Sequence, residues 1–176
     1  DKEKDPMFFL AAAHLVLSKG YAAQFVICTS AAKLRSNNPQ YLQELYDMKA
    51  RWPNNITIRQ GLTKEEYYRE LCDAKVQFNC ADQDWLPLTL LEASVAGCWP
   101  LYPYFRSFPD GLRRDRDFLY EKGDAVHAAE RIINVLSADQ DTWSRDAIKS
   151  RAWIHERFDT SWWRMLHHMG LSNLTK

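Results

Sequence analysis

The stretch Asp84–Pro100, which reads DWLPLTLLEASVAGCWP, decides the fold. The predicted strand Val76–Asn79 precedes it. Leu88–Ala96 has the small and apolar composition of a compact helix, and Gly97 is suited to end that helix. A second apolar run opens at Trp99. Strand, loop, helix and strand in this order predict a parallel βαβ unit.

The same alternation extends along the chain in both directions and predicts one Rossmann-like α/β domain over residues 1–176. Right-handed crossovers place helices on both faces of the parallel sheet, and ligands then bind beyond the carboxyl ends of its strands. The predicted helices are Pro6–Ser18, Tyr41–Arg51, Thr63–Asp73, Leu88–Ala96, Asp124–Leu136, Thr142–Glu156 and Thr160–Met169. The predicted strands are Gln24–Cys28, Ile56–Arg59, Val76–Asn79, Trp99–Tyr102 and Phe118–Tyr120.

The amino-acid composition limits the classes of partner that the chain is expected to bind. The 23 basic residues balance the 23 acidic ones, so no net field favours nucleic acid or an anionic membrane. There is no apolar run of about 18 residues, which argues against a transmembrane segment. The four cysteines are widely spaced and lack metal-ligand spacing, which favours buried thiols in a reducing, cytoplasmic compartment. The charged start, Asp1–Asp5, is unlike a signal peptide and suggests a cut inside a longer chain.

The central stretch also carries the candidate chemistry. Pro87 suits the first helical position, so N–H groups near Leu88 and Thr89 point out of a helix N-terminus, where they suit a diphosphate. Glu92 lies one turn further on the face of Leu88 and can accept hydrogen bonds from both ribose hydroxyls. Asp84 can accept a hydrogen bond from a sugar hydroxyl. The alternative is structural: Asp84 caps the helix and Glu92 pairs with a surface base.

This stretch resembles the donor-site signature of retaining GT-B glycosyltransferases of the family-4 type: an acid, seven residues, Glu-Ala, a small-residue helix and a Gly before a strand. The resemblance implies the C-terminal half of a GT-B fold that binds a nucleotide sugar, with an N-terminal domain outside this chain. It implies no bound metal or other cofactor, because Lys, Arg and a helix N-terminus meet the charge on the leaving diphosphate. Asp84 is then the catalytic candidate.

The resemblance extends to most of the chain. Lys4 corresponds to the family's lysine before the first helix, which contacts the donor diphosphate. Gly61 and Leu62 correspond to the loop that cradles the base through main-chain groups. The sequence departs from the family at three points: the first acid is Asp84 rather than Glu, Pro87 has no N–H to donate, and Thr29-Ser30 replaces a Gly-x-Gly pair.

Three questions stay open at this point. Arg106 follows a strand, and either reaches an acceptor or phosphate or belongs to a rigid proline-fixed turn. The alternatives to a glycosyltransferase are a nucleotide-sugar epimerase and a non-catalytic binding module on the same fold. The terminal helices in 140–176 are expected to pack toward the N-terminal half, and their apolar stripe around Trp162 predicts self-association.

Overall fold

The computed structural model describes residues 4–82 and 88–157, in which helices and strands alternate along the chain. The residues around the predicted catalytic Asp84, and those after Arg157 with Trp162, lie outside the described residues. The helices are α1 Pro6–Ser18, α2 Pro39–Arg51, α3 Lys64–Asp73, α4 Leu88–Ala96, α5 Phe108–Gly111, α6 Ala125–Ser137 and α7 Gln140–Arg157. The strands are β1 Phe25–Cys28, β2 Ile56–Arg59, β3 Val76–Phe78, β4 Trp99–Pro103 and β5 Leu119–Tyr120.

Local sequence accounts for the start of the helices. The Asp5 carboxylate accepts a hydrogen bond from the Phe8 N–H at 3.1 Å, and Pro6 occupies the first turn of α1. Thr63 and Glu66 form the predicted capping box of α3, with the Thr63 N–H donating to the Glu66 carboxylate at 2.8 Å. Asp124 caps α6 through the His127 N–H at 2.9 Å. These ends confirm the predicted helices to within one or two residues.

Every strand pair in the described residues is parallel. β1 pairs with β2 from Phe25 opposite Ile56 onward, and β3, β4 and β5 form a second sheet in that order. Helices lie around these sheets, with α1 against α6, α3 against α4, and α7 against α4 and β4. The predicted α/β class with parallel strands is therefore confirmed.

Aromatic rings join the two sheets into one core. Phe9 of α1 packs edge-on against Phe25 of β1, with ring centroids 5.9 Å apart, and stacks on Phe78 of β3 at the same distance. At the other side, Phe118 contacts Trp99 and Trp153, which attaches α7 to β4. β4 is buried along its whole length. Burial of these large rings contributes favourably to folding.

The loop predicted between β4 and β5 contains helical turns that the sequence pattern did not reveal. α5 is a single turn, and a short 3-10 helix covers Arg116–Phe118. Phe108 and Leu112 are fully buried there. Tertiary packing therefore outweighs the turn preference of the nearby prolines in setting the local conformation. In the described part of the chain, no helix is long and apolar enough to cross a membrane.

Candidate functional site

Glu92 is a charged side chain that α4 carries into a nearly buried position. Its residue is 8 % exposed. Tyr67 donates to one carboxylate oxygen at 3.3 Å, and Tyr68 donates to the other at 3.2 Å. The ammonium of Lys64 lies 3.7 Å from the oxygen that Tyr68 contacts. The three partners all come from the start of α3, so Glu92 links the first turns of α3 and α4.

The charges in this cluster are coupled. Burial raises the pKa of the Tyr67 hydroxyl, and the negative charge of Glu92 raises it further. Burial and Glu92 also raise the pKa of Tyr68, against the opposing effect of Lys64. The pKa of Lys64 is raised by its hydrogen bond to Tyr68 and by Glu92. Both phenols therefore stay protonated near neutral pH and act as neutral donors to the carboxylate.

The predicted base loop lies directly before this cluster. Gly61 has a φ of 69°, a left-handed conformation that favours glycine. Its N–H donates to the Ala31 carbonyl at 2.8 Å, and the Leu62 N–H donates to the Thr29 carbonyl at 3.2 Å. The loop after β2 is therefore fixed on the loop after β1. Both N–H groups are engaged inside the protein, so they do not reach outward toward a base in this conformation.

Thr89 and Lys4 lie at a second candidate site, a cavity at the carboxyl ends of the strands. They line a cavity of about 370 Å³ between the ends of β1 and β3, together with Arg35 and Asn79. The Thr89 hydroxyl is bonded to Asn79 at 3.4 Å and to the Tyr102 hydroxyl at 3.0 Å. This hydroxyl is already partnered inside the protein.

The predicted site residues divide into two groups. Lys4 and Thr89 share the cavity, whereas Gly61, Leu62 and Glu92 are not among the residues that line it. Glu92 belongs to the α3–α4 contact, and Gly61 and Leu62 belong to the loop before α3. Leu88 of α4 is 47 % exposed. The cavity is lined mainly by apolar side chains, whereas Glu92 is a nearly buried carboxylate. We therefore place the candidate centre at Glu92.

Arg106 occupies a strained position after β4. Its φ is 52°, and its guanidinium lies 5.0 Å from the centre of the Phe105 ring. Lys122 approaches the same ring at 3.9 Å and pairs with Asp82 at 2.6 Å. Arg106 thus belongs to a cationic and aromatic group at the ends of β3, β4 and β5. Both earlier interpretations, ligand contact and rigid turn, are compatible with this placement.

Sequence reasoning missed the partners of Glu92. The adjacent Tyr67 and Tyr68 carry no motif, although they lie one helical turn after the predicted base loop. Arg35 was missed as well, and the rule that ligand-binding residues follow strands would have singled out its loop after β1. Asp84 lies outside the described residues, so its catalytic role stays a prediction.

Comparison with known proteins shows the fold. No protein-family model matches the chain, and no curated protein matches it. Among solved structures, TarM aligns with a TM-score of 0.74 and 17 % identity, over 100 % of this chain and 33 % of TarM. A variant of S. aureus TarM, in complex with fondaparinux, α-GlcNAc-glycerol and UDP, aligns at 0.75 and 18 % identity, over 99 % of this chain and 33 % of that one.

A third neighbour is sucrose-phosphate synthase of Thermosynechococcus elongatus, with a TM-score of 0.71 and 17 % identity, over 97 % of this chain and 41 % of that one. The chain therefore spans about a third to two fifths of the structures it matches. Identities this low show the fold and do not by themselves transfer an activity. The architecture of this chain is that of the C-terminal half of a GT-B fold.

Proposed function

We propose that this chain is the donor-binding domain of a retaining GT-B glycosyltransferase of the family-4 type. The longer enzyme would transfer a sugar from a nucleoside-diphosphate sugar to an acceptor. The observation that carries this proposal is Glu92, a nearly buried carboxylate at the carboxyl edge of the strands whose two close partners are neutral phenols. Two neutral phenols leave part of the acceptor capacity of such a carboxylate for a ligand.

The roles of the site residues follow from their positions. Glu92 binds the ribose hydroxyls, and the loop at Gly61 and Leu62 contacts the base. Contact through the N–H groups of this loop requires that they first release their carbonyl partners in the loop after β1. The N-terminus of α4 at Leu88 and Thr89 receives the diphosphate, with Lys4 at the neighbouring cavity adding positive charge. Asp84 contacts the transferred sugar.

The chemistry proposed for this half is electrostatic. As the glycosidic bond to the diphosphate breaks, negative charge develops on the leaving group. Lys4 and the α4 N-terminus stabilise this charge without a metal ion. Arg106 contacts the acceptor or a phosphate. The S. aureus TarM variant was crystallised with UDP, and this supports a nucleoside diphosphate as the ligand class here.

The rest of the reaction depends on parts of the protein beyond this chain. Because the chain spans about a third of its structural neighbours, we propose that a second domain supplies the acceptor site. This chain alone should then bind the donor nucleotide without transferring its sugar. Cytoplasmic localisation and self-association through the terminal segment remain part of the same proposal.

Calorimetric titration with UDP, GDP and ADP tests the proposal. We expect one of them to bind, and Glu92→Gln to weaken that binding by about 1.5–3 kcal/mol, because a charged hydrogen-bond acceptor is lost. Asp115→Asn is the matched control, since Asp115 is an acid that pairs with a lysine, Lys149, at a different place in the fold. Absence of binding by all three nucleotides, or equal binding by parent and Glu92→Gln, would refute the proposal.

A further inference from the structure

The strands β1 and β3 both contact α1, yet they belong to two separate sheets. Within the described residues β1 pairs with β2 and β3 pairs with β4, and neither strand pairs with the other. The Phe9 ring of α1 nevertheless lies 5.9 Å from the rings of both Phe25 in β1 and Phe78 in β3. A single ring that contacts both strands places them close together, as expected of two strands that flank a third and lie about 9.5 Å apart.

The main chain of β1 has an edge that faces away from β2. Successive residues of a strand turn their N–H and C=O groups to opposite edges of the strand. The N–H groups of Phe25 and Thr29 donate to carbonyls of the β2 segment at 2.7 and 2.9 Å, so the odd-numbered residues face β2. The N–H and C=O groups of Val26 and Cys28 therefore point to the other edge, where no described strand pairs with them.

A matching edge exists on β3. The Asn79 N–H donates to the Leu101 carbonyl of β4 at 3.0 Å, so Phe78, the residue before it, turns its main-chain groups away from β4. Both edges border the same space, because Val26 and Cys28 of β1 and Phe78 of β3 line the cavity of about 370 Å³. The cavity therefore lies between two strand edges, each of which matches one side of an extended main chain.

The walls of this cavity fit an apolar strand. Strands of parallel sheets are covered on both faces, and β4 is buried along its whole length. By contrast, β3 is half-buried, and Val26 in the middle of β1 is 38 % exposed. Phe9, Leu10 and Leu45 of the neighbouring helices line the cavity. The side-chain oxygen of Gln77 is buried in its wall without a hydrogen-bond partner among the described residues. These walls favour an occupant with apolar side chains and main-chain donors.

The position of α1 indicates which segment this occupant is. Each of β1, β2 and β3 is followed by a helix that leads to the next strand, as crossover connections between parallel strands require. α1 leads to β1, and Lys4 and Pro6 at its start line the cavity together with Cys80, which follows the carboxyl end of β3. A strand that ends there and continues into α1 runs parallel to β1 and β3, with α1 as its crossover helix to β1.

We propose that the segment directly before Asp1 in the longer protein is an apolar β-strand that pairs with β1 on one edge and with β3 on the other. It joins the two sheets into one continuous parallel sheet and covers Val26. The structural neighbours are long enough to supply such a segment, since this chain spans 33 % of TarM. The inference shares the longer protein with the proposed function but requires no nucleotide, so either can fail while the other holds.

Amide hydrogen exchange with single-residue resolution tests this proposal on chain 1–176 and on the longer protein. In chain 1–176 the amides of Val26, Cys28 and Phe78 should exchange about tenfold faster than those of Phe25 and Asn79, which are bonded to neighbouring segments. In the longer protein these three amides should slow by about tenfold or more relative to the two controls, which is the effect of one added backbone hydrogen bond.

A matched variant separates strand pairing from a general gain in stability. In this variant of the longer protein, Gly-Ser repeats of equal length replace the roughly 15 residues before Asp1, because such repeats keep the chain connected as a flexible linker. The amides of Val26, Cys28 and Phe78 should then exchange as fast, relative to the controls, as they do in chain 1–176. Equally slow exchange in the variant and in the longer protein would show that the segment does not pair at this place.

Two further outcomes would overturn the proposal. Slow exchange of the three amides already in chain 1–176, at every protein concentration, would mean that another segment of this chain pairs with the two edges. Slow exchange that sets in only at high concentration, with dimers in sedimentation, would assign the edges to a second copy. Failure of UDP, GDP and ADP to bind would overturn the proposed function alone and leave the strand assignment intact.

Discussion

Glu92 and Asp115 each have a lysine and aromatic residues nearby, but the two acids differ in what satisfies them. Glu92 lies at the carboxyl edge of the strands, with two phenols as close partners and Lys64 at 3.7 Å. Asp115 lies in the loop before β5, where Lys149 of α7 approaches to 2.6 Å. The other oxygen of Asp115 accepts the Asp117 N–H at 3.0 Å and so caps a short 3-10 helix.

The two carboxylates differ in the groups that pair with their negative charge. At Asp115 a cation and a backbone N–H satisfy both oxygens, and Lys149 also lies 4.8 Å from the Trp153 ring and 5.9 Å from the Phe118 ring. That cluster fastens α7 to the domain and has little left for a ligand. At Glu92 the close donors are two neutral phenols, and the Lys64 ammonium lies further away, at 3.7 Å. The acceptor capacity of Glu92 is therefore less completely used than that of Asp115, which makes Glu92 the better candidate for binding.

The largest expected effect on stability comes from Phe118, an aromatic residue that packs beside the Asp115 ion pair. Phe118 is fully buried between Trp99 and Trp153. Phe118→Ala should lower the free energy of unfolding by about 3–5 kcal/mol, because it removes a buried ring and leaves a cavity. Urea titration followed by tryptophan fluorescence measures this loss. Ile148→Ala, at an exposed site on α7, is the control and should change stability by less than about 0.5 kcal/mol.

A crossed pair of variants tests the comparison itself. Asp115→Asn should lower the free energy of unfolding by about 1 kcal/mol, since it weakens a partly exposed ion pair and a helix cap. It should leave nucleotide affinity unchanged. Glu92→Gln should reduce nucleotide affinity and change stability by less than about 0.5 kcal/mol, because an amide can still bond to both phenols. Reversed effects, with Glu92→Gln the more destabilising variant, would show that Glu92 is the structural acid.

The sequence predicted the elements better than it predicted the site. The capping box at Thr63 and Glu66 and the end of α4 before Gly97 follow from local residue chemistry, which a sequence displays directly. Glu92 was singled out by its place in a helix after a strand and by the resemblance of its stretch to the donor-site signature. Its partners depend on how α3 packs against α4, and the separation of 24 and 25 residues between them gives no local pattern. The short helix α5 was missed because the burial of Phe108 is likewise a tertiary property.

Acid titration separates the two clusters by a second route. Burial raises the pKa of Asp115, but hydrogen bonds from Lys149 and the Asp117 N–H outweigh it and lower this pKa from its ordinary value of 3.8. A lowered pKa in the folded state contributes stability above the unfolded value, and this stability is lost as the pH falls through the folded value. The parent should therefore lose stability relative to Asp115→Asn as the pH falls below about 3.8, and the two unfolding curves should converge there. A constant difference between them down to the lowest pH at which both fold would contradict this account.

The smallest expected effect concerns Lys4, which lies one residue before the Asp5 cap of α1 and lines the cavity beside Thr89. Because Lys4 is exposed, solvent screens its charge, and Lys4→Ala should weaken binding of a nucleoside diphosphate by about twofold to fivefold. Binding of the corresponding monophosphate should barely change, since the charge acts on the distal phosphate. Calorimetry at low and high salt measures both, and the loss for the diphosphate should shrink at high salt. Lys19→Ala, at the opposite end of α1, is the matched control. An equal loss for the monophosphate and the diphosphate would exclude a contact between Lys4 and the diphosphate.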